Sequence, residues 1–278
     1  PKYINNILIS SDLLIATAGV VSLEAAFCKI PSLLFQINKN QETDFLSMQL
    51  LGHYLILKKA DLKKIKKISN LIFLLIKNYK RTKKLSQNPK FKIDGKGAQR
   101  IVEIISSKNN YNNVFKQSLT NNKIKQKEND VQKIDDKEIN FYLESRNLNI
   151  NVENSASKSA IACLDHYIWW FSNKKRKSYL ITKNNQKLLY VYESCFSYKK
   201  NNYIYHGYIA CRKDLSALDI LWALNCQKRN IDKKYKNYIC ISSANKKSKF
   251  SNQHTKYLGY RSLKEDLKKL RKILMVNK

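Results

Sequence analysis

Residues 12–24, Asp12-Leu-Leu-Ile-Ala-Thr-Ala-Gly-Val-Val-Ser-Leu-Glu24, combine an apolar run, a turn of small residues and the start of a helical pattern. The run Asp12–Thr17 predicts a buried strand, because it is short, apolar and followed at once by small residues. A helix is predicted at Ser22–Lys29, with Glu24 in its first turn. Such a turn exposes backbone N–H groups at the positive end of a helix dipole, which suits a diphosphate. The same pattern also fits a plain strand-turn-helix with Ser22 as the N-cap.

The surrounding sequence alternates strands and helices. Further strands are predicted at Pro31–Ile37 and His53–Leu57, and helices at Gln41–Leu51 and Gly97–Ile105. Two more helical segments lie between His53–Leu57 and the last helix. Alternation at this spacing is typical of a parallel sheet covered by helices. The sequence therefore predicts an α/β, Rossmann-like domain over residues 1–105.

A polar tract separates this region from a second one. Between Ser106 and Lys137 the sequence loses its periodicity and is rich in Asn and Lys, and we interpret residues 106–130 as a linker. Helices are then predicted at Asp136–Arg146, Ala160–Phe171, Ala217–Lys228 and Asn245–Tyr257, and strands at Ser178–Thr182, Leu188–Cys195, Tyr203–Cys211 and Tyr238–Ser242. A basic helix is predicted at the C-terminus. Helices followed by an antiparallel meander predict a mixed α+β domain over residues 131–278.

The composition limits the classes of function. The chain has 278 residues, which is enough for two ordinary domains. Its 53 Lys and Arg against 21 Asp and Glu give a formal net charge of +32. Lysine greatly outnumbers arginine and asparagine is also abundant, so we interpret the charge as a solvated surface. We expect no nucleic-acid partner.

Cysteine usage and apolar runs indicate a cytoplasmic chain. The six cysteines and four histidines are scattered without metal-ligand spacing, so we predict free thiols and no metal site. The apolar run Leu71–Ile76 is too short to span a bilayer and predicts a core-facing helix without membrane insertion. The chain opens at Pro1 without a signal peptide and enters a helix directly, which predicts a missing beginning.

Three motifs in residues 1–105 resemble one family of enzymes. The turn between Asp12 and Glu24 is similar to the family pattern A-x-x-A-G-x-x-S-x-E. Asn40-Gln41 resembles an N-Q pair at the mouth of a sugar site, and Asp94-Gly-Lys-Gly-Ala-Gln-Arg100 resembles the signature D-G-x-G-A-x-R. These motifs occur in the C-terminal half of GT-B-fold nucleotide-sugar enzymes. They resemble especially those of the UDP-2,4-diacetamido-2,4,6-trideoxy-sugar hydrolase family of pseudaminic acid (nonulosonic acid) biosynthesis.

The resemblance implies a GT-B half-domain that binds a UDP-linked amino-sugar and needs no cofactor for hydrolysis. The turn would receive the UDP phosphates, Glu24 would accept hydrogen bonds from the ribose, and Asn40 and Gln41 would orient the hexose. The implied UDP-sugar-binding residues are Ala18, Gly19, Val20, Val21, Ser22, Glu24, Asn40 and Gln41. Gly95 and Gly97 are assigned to a tight turn, and His53 to a structural role. The family's other half, with its catalytic histidine, has no counterpart here. We therefore name no catalytic residue and expect no hydrolysis by this chain alone.

The second region resembles a branch of the GNAT acetyltransferases that works on amino-sugars. An Arg146-Asn147 pair precedes a helix with His166, Trp170 and Phe171, which is similar to the L-R-N and E-H-x-x-W-F elements of that branch. Ser243-Ala-Asn-Lys-Lys-Ser248 and Tyr257-Leu-Gly-Tyr260 are similar to its closing N-x-x-S and L-G-F elements. The aromatic residues of that helix also fit plain core positions, and His166 fits a packed or hydrogen-bonded histidine.

The resemblance implies acetyl-CoA as the cofactor, held by a loop after the strand that ends in Cys211. The implied loop residues are Arg212, Lys213, Ser216, Ala217 and Asn245. Family members have glycines in this loop, which let backbone N–H groups reach the pyrophosphate. This chain has none, so we expect weak or absent acetyl-CoA binding, which Leu215→Gly with Ala217→Gly should strengthen. Three hypotheses stay open: a UDP-sugar hydrolase-like protein, a GNAT-type N-acetyltransferase acting on an amino-sugar nucleotide, and a non-catalytic basic binding module. The oligomeric state is also left open.

Overall fold

The computed structural model describes residues 4–38, 41, 48–49, 54–89, 92–106, 129–155, 157–198, 200–243 and 249–261. Its internal contacts divide the chain into two compact units. The first unit consists of Pro1–Lys127, Asp136–Asn140 and Cys163–Phe171, and the second of Glu128–Asp135, Phe141–Ala162 and Ser172–Lys278.

The first unit contains a three-stranded parallel sheet in the order β1-β2-β3. Its strands are β1 (Leu14–Thr17), β2 (Ser32–Phe35) and β3 (Tyr54–Leu57). Helix α2 (Val20–Phe27) connects β1 to β2, as a parallel pair requires. All residues of β2 and β3 are buried, which is why both strands are continuous apolar runs instead of alternating ones. The three strands predicted in this region are therefore parallel neighbours in one sheet.

Helices complete the first unit. They are α1 (Ile4–Ile9), α3 (Ile65–Lys77), α4 (Tyr79–Gln87) and α5 (Gly97–Ser106), with single 3₁₀ turns at Lys59–Lys63 and Asp136–Glu138. Helix α3 includes the apolar run that was predicted to face the core, and its Leu71 and Leu75 are buried one turn apart. Most of the helix predicted at Gln41–Leu51 lies outside the described residues, as does His53.

The second unit is built on a five-stranded sheet in the order β4-β5-β6-β7-β8. The strands are β4 (Asn129–Lys133), β5 (Arg176–Lys183), β6 (Gln186–Tyr198), β7 (Asn201–Ala210) and β8 (Ile239–Ser242). The first four are antiparallel neighbours, and β8 pairs with β7 in parallel. The parallel pair is joined by the long helix α9 (Ala217–Lys234). Helices α7 (Asn149–Glu153) and α10 (Lys249–Tyr257) also belong to the second unit. Helix α6 (Ile139–Arg146) begins in the first unit and continues in the second, and α8 (Cys163–Ser172) lies in the first unit except for its last residue.

Local sequence explains how the meander forms. Asn184 and Asn185 connect β5 to β6 and have φ angles of 51° and 60°. Two consecutive residues with positive φ give a turn whose twist matches that of the strands, and asparagine tolerates this conformation better than most residues. One face of the resulting sheet packs on α9, where Leu189, Val191 and Ala223 are buried in a common core.

Two predictions needed correction. The tract from Ser106 to Lys137 was predicted to lack regular structure, but Asn129–Lys133 forms β4 at the edge of the second sheet. The sequence hid this strand because Val131 is its only apolar residue. In addition, the helix that carries His166 and Trp170 belongs to the first compact unit, although its sequence resembles an acetyltransferase element. The prediction of a mixed α/β chain is confirmed.

No helix in the described part of the chain combines the length and the apolar character that a membrane crossing needs.

Candidate functional site

The turn after β1 is shaped by Ser22. Helix α2 begins at Val20 with Gly19 as its N-cap, and the buried Ser22 hydroxyl donates to the Gly19 carbonyl at 2.6 Å. Ser22 is therefore inside the first helical turn, and the reading of Ser22 as the N-cap is wrong. Glu24 is half-buried in the second turn, not in the first. The exposed residues at the helix N-terminus are Gly19 and Val20.

Gln41 contacts this turn through its side chain. Its Nε2 donates to the Ala18 carbonyl at 3.3 Å, and its Oε1 accepts from the N–H groups of Ile37 and Asn38 at 3.0 and 3.2 Å. The structure thus brings Gln41 to the turn, as a shared site requires. Because its amide already bonds the main chain, a sugar bound by the same atoms would have to replace one of these bonds. Asn40 lies outside the described residues.

The segment Asp94–Arg100 has a structural role. Both carboxylate oxygens of Asp94 accept hydrogen bonds from the Arg100 guanidinium at 2.9–3.1 Å. Gly95 has a φ of +71°, and a Cβ there would lie 3.1 Å from the Phe27 ring. Both the backbone conformation and the space favour glycine. This confirms that Gly95 serves a tight turn.

Helix α8 is held by buried polar contacts inside the first unit. His166 is buried and its Nε2 lies 2.9 Å from the Ile139 carbonyl oxygen. The Trp170 indole N–H donates to Asp136 at 2.8 Å, and Asp136 also accepts two hydrogen bonds from Arg81. These contacts confirm the interpretation of His166 as a packed, hydrogen-bonded histidine.

In the second unit, β7 extends beyond its parallel partner. The last residue pair between β7 and β8 is His206 with Ser242, and β7 continues for four more residues to Ala210. The N–H of Cys211 donates to the Leu188 carbonyl, so it points from the end of β7 toward β6. Backbone groups alternate in direction along an antiparallel strand, so those of Tyr208 and Ala210 point away from β6. That side is the edge along which β8 lies. Among the described residues, no pair between β7 and β8 follows the one between His206 and Ser242, and residues 244–248 lie outside the described part of the chain.

The part of this edge beyond the described pairs with β8 is short. Asn151 on α7 bonds both backbone groups of Ala210: its Oδ1 accepts from the N–H at 3.0 Å, and its Nδ2 donates to the carbonyl at 2.8 Å. The side-chain amide thus takes the place of a neighbouring strand. Tyr208 lies between this cap and the last described pair with β8, and its N–H and C=O point to the same side of β7 as those of Ala210.

The loop Cys211–Ser216 leads from this edge to the N-terminus of α9. Ser216 is the N-cap, and its hydroxyl accepts from the Asp219 N–H at 3.1 Å. Arg212 donates to Gln186 at 2.8 Å and lies 3.0 Å from the Asp214 carboxylate. Lys213 is exposed beside it, and Ala217 opens the helix. Asn245 lies outside the described residues.

The charges around this loop disfavour a diphosphate. Asp214 is mostly exposed, and Asp219 lies in the first turn of α9, where it already complements the helix dipole. Its pKa is lowered by hydrogen bonds from Ser216 and Lys183, so it is ionised at neutral pH. A phosphate at this helix N-terminus would therefore meet two carboxylates, together with two cations that are already paired with them and the exposed Lys213.

Leu215 packs against the hydrophobic core under α9. Changing it to glycine would remove this packing together with the side chain. The Leu215→Gly test therefore changes two properties at once, because it removes the packing of Leu215 in the core as well as giving the loop a glycine.

A histidine and a tyrosine lie at the last described pair between β7 and β8. The Tyr260 hydroxyl is 2.6 Å from His206 Nε2, and His206 is in the last β7 residue pair with β8. Burial lowers the pKa of His206 to about 4, and burial raises the pKa of Tyr260, so both groups are neutral at pH 7. Such a pair can pass a proton along its hydrogen bond. The sequence analysis missed His206, whose only signal was a histidine within a predicted strand.

A pocket of about 270 Å³ opens on the opposite face of the sheet. Its walls come from α6, the start of β6 and the end of β7, and they include Glu144, Lys187, Tyr190 and Arg212. The Lys187 ammonium lies 4.7 Å from the centre of the Phe141 ring, which lines the same pocket. The described residues contain no group of three His, Cys, Asp or Glu side chains that could hold a metal ion.

No family model and no curated protein matches this chain. Solved structures resemble it over 50% of its length. A possible acetyltransferase from Clostridium difficile 630 has a TM-score of 0.41 at 10% identity, with 95% of that chain covered. A predicted acetyltransferase with acetyl-CoA from Clostridium acetobutylicum has a TM-score of 0.40 at 15% identity, with 93% covered. An aminoglycoside N-acetyltransferase in complex with CoA has a TM-score of 0.37 at 10% identity, with 91% covered. At these values the likeness assigns neither activity nor substrate.

Proposed function

We propose that the second unit is an N-acetyltransferase of the GNAT type that binds acetyl-CoA weakly. The observation that carries this proposal is that the described part of β8 pairs with β7 only as far as His206, while the backbone of Tyr208, further along β7, faces the same edge. Pantetheine, the arm of CoA, contains amides that can pair with a strand edge as a short peptide does. The coenzyme would lie along this edge with its thioester near His206.

The loop after β7 explains why binding is expected to be weak. It lacks glycine, and Asp214 and Asp219 oppose the negative charge of the pyrophosphate. Arg212 compensates only in part, because it already bonds Gln186 and Asp214. We therefore expect a dissociation constant above the micromolar range, with the pantetheine contacts supplying most of the affinity.

Transfer of an acetyl group requires two proton movements. The acceptor amine loses a proton when it attacks the thioester carbonyl, and the CoA thiolate gains one when it leaves. Tyr260 is neutral and hydrogen-bonded to His206, so it is a suitable donor to the thiolate. The proton that the amine releases would pass to water, and the Tyr260 phenolate would regain its proton from water. In this proposal His206 supports Tyr260 and does not contact the substrate.

Replacing Tyr208 tests the coenzyme edge directly. Tyr208→Pro removes the backbone N–H that faces this edge and leaves the bonds between β6 and β7 intact, since proline is tolerated where its nitrogen faces an open edge. Tyr208→Ala keeps that N–H and loses the same side chain, so it is the matched control. By calorimetry, acetyl-CoA should bind the alanine variant and should not bind the proline variant measurably.

Equal acetyl-CoA affinity in the Tyr208→Pro and Tyr208→Ala variants would show that the edge of β7 does not bind the coenzyme.

Tyr260→Phe tests the proton donor. This variant should bind acetyl-CoA as the unchanged protein does, but release free CoA at least tenfold more slowly in the presence of an amine acceptor. An unchanged rate would exclude Tyr260 as the proton donor.

The acceptor that we propose is an amino-sugar nucleotide. The support is the resemblance of the Arg146-Asn147 element to transferases of that class. In the structure, Asn147 fixes the backbone of the loop before α8 through two hydrogen bonds with Ile161, at 2.8 and 2.9 Å. Acetylation of UDP-linked amino-sugars, followed by mass spectrometry, would test this substrate class.

A second candidate function is UDP-sugar binding by the first unit. Its support is the hydrogen bond between Gln41 and Ala18, which joins two motifs that the sequence separates by more than twenty residues. We propose that the exposed N-terminus of α2 receives the diphosphate and that Glu24 bonds the ribose. Glu24→Ala should weaken UDP binding by about 1–3 kcal/mol. Unchanged affinity in calorimetry would exclude Glu24.

A further inference from the structure

Helix α3 has a second apolar face, which the first unit leaves exposed. Leu71 and Leu75 pack in the interior, whereas Ile65, Phe73 and Ile76 are 71%, 59% and 62% exposed. At 3.6 residues per turn, these three exposed side chains fall within an arc of about 80° around the helix. We call them the apolar stripe of α3. Covering the stripe would remove apolar surface from water and would therefore be favourable.

Lysines border the apolar stripe. Lys66 is seven residues before Phe73 and Lys77 is four residues after it, and these spacings place both lysines on the Phe73 side of the helix. Both are exposed, and the Lys77 ammonium lies 5.8 Å from the centre of the Phe73 ring. Lysine can lay its aliphatic stem along an apolar surface while its ammonium reaches a polar layer. The exposed side of α3 is therefore apolar along one line and cationic beside it.

The sequence around α3 carries charge of one sign. Residues 62–93, which include α3 and α4, contain eleven Lys and Arg and neither Asp nor Glu. Three of these cations pair with acidic side chains from other parts of the first unit, namely Lys64 with Asp61, Lys67 with Asp165 and Arg81 with Asp136. The segment keeps an excess of positive charge after these pairs. A surface that complements it must be negative as well as apolar.

We propose that α3 docks on the surface of an anionic lipid bilayer. The apolar stripe would enter the boundary between headgroups and acyl chains, and Lys66 and Lys77 would lie among the lipid phosphates, as is typical of basic amphipathic helices. Thirteen residues rise only about 20 Å, which is less than the hydrocarbon core of a bilayer, so the helix would lie along the surface. Nucleic acid would engage the lysines but leave the stripe in water. Docking of this kind depends on neither of the functions proposed above.

Flotation of the full chain with lipid vesicles tests the docking surface. Vesicles of phosphatidylcholine with about 30% phosphatidylserine supply the negative surface, and vesicles of phosphatidylcholine alone lack it. We expect the chain to float with the mixed vesicles and to remain unbound with the neutral ones. Raising the salt concentration to about 0.5 M should weaken the binding at least about threefold, because salt screens the lysines. Equal binding to both kinds of vesicle, or to neither, would overturn the proposal.

The apolar contribution is tested by Phe73→Ser combined with Ile76→Ser. This variant should bind the mixed vesicles at least about tenfold more weakly. The matched control is Ile101→Ser with Ile105→Ser, which changes two similarly exposed residues on α5. It should bind as the unchanged chain does, and circular dichroism should show that both variants are folded. Unchanged binding by the α3 variant, or an equal loss in the α5 variant, would refute the stripe.

The charge contribution is tested by Lys66→Gln combined with Lys77→Gln. Loss of two lysines at the surface should weaken binding to the mixed vesicles at least about fivefold. Lys233→Gln with Lys236→Gln removes two exposed lysines from the second unit and should have little effect. An equal loss in both variants would show that only the net charge of the chain attracts it to lipid, and the assignment to α3 would fail.

Two further outcomes would give the stripe or its lysines to another partner. If Phe73→Ser with Ile76→Ser converts a dimer to a monomer in analytical ultracentrifugation and leaves vesicle binding unchanged, a second copy of the chain covers the stripe. If a single-stranded oligonucleotide binds the unchanged chain and the mixed vesicles do not, the lysines serve nucleic acid. Either result overturns the lipid assignment.

Discussion

The substitution Gly207→Ala should destabilise the second unit measurably. A Cβ at this position would lie 2.3 Å from the Tyr192 hydroxyl oxygen and 2.5 Å from the carbon that carries it. Ordinary contacts between such atoms are about 3.5–4 Å, so the ring would have to move by roughly 1 Å. Arg176 stacks on this ring at 3.5 Å, which opposes the movement.

Overpacking of this kind typically costs about 1–3 kcal/mol, and we expect Gly207→Ala to lower the free energy of unfolding by that amount. Urea unfolding followed by circular dichroism measures it. Gly97→Ala is the control, because no atom lies within 4 Å of a Cβ built at Gly97, at the start of α5. That variant should be as stable as the unchanged chain or more stable.

A double-mutant cycle identifies the cause. In a Tyr192→Ala background the ring is gone, so Gly207→Ala should cost little. The reasoning would be refuted if Gly207→Ala had no effect on stability, or if it cost the same with and without the Tyr192 ring.

Three further predictions concern charge and stability. Burial lowers the pKa of His206 from 6.5 to about 4, so the unfolded protein binds a proton at this histidine more readily than the folded protein does. The stability that His206 contributes is therefore complete above about pH 6.5 and is lost as the pH falls toward 4. Between about pH 7 and pH 5 the unchanged chain should therefore lose roughly 2 kcal/mol more than His206→Gln in urea unfolding, and equal losses would contradict this. Asp136→Asn should lower the free energy of unfolding by about 1–3 kcal/mol, because Asp136 bonds Arg81 twice and is mostly buried. Asp165→Asn should cost less than about 1 kcal/mol in the same assay, because its ion pair with Lys67 is exposed; the opposite order would show that burial does not decide these energies.

The order of elements could be predicted from the sequence where apolar runs were long or bounded by turns. Strands β2 and β3 are continuous apolar runs because both of their faces are buried, and the Asn184-Asn185 turn marks a hairpin. Strand β4 could not be found in this way. Its residues Asn129–Lys133 form an edge strand whose position depends on pairing with β5, not on its own composition.

The candidate sites were predictable only in part. The Gly19 turn and the loop after Cys211 follow strands, so sequence order locates them. The pairing of His206 with Tyr260 joins residues that are 54 positions apart, and no periodic signal indicates such a pair. The partners of Asp94, Ser22 and Gln41 show a further limit, because each of these side chains in a family-like motif bonds the backbone.

The cap that Asn151 places on Ala210 bears on how this protein avoids self-association. An exposed strand edge is a template on which a second chain can add a strand and begin aggregation. With β8 pairing up to His206 and Asn151 bonding Ala210, the edge of β7 in the described structure offers only the backbone of Tyr208 between them. One residue is too short to hold a second strand by backbone hydrogen bonds, but its N–H and C=O can bond a single amide group. Asn151→Ala should therefore increase aggregation of the folded chain, measurable by light scattering, because it lengthens the edge that another copy can pair with.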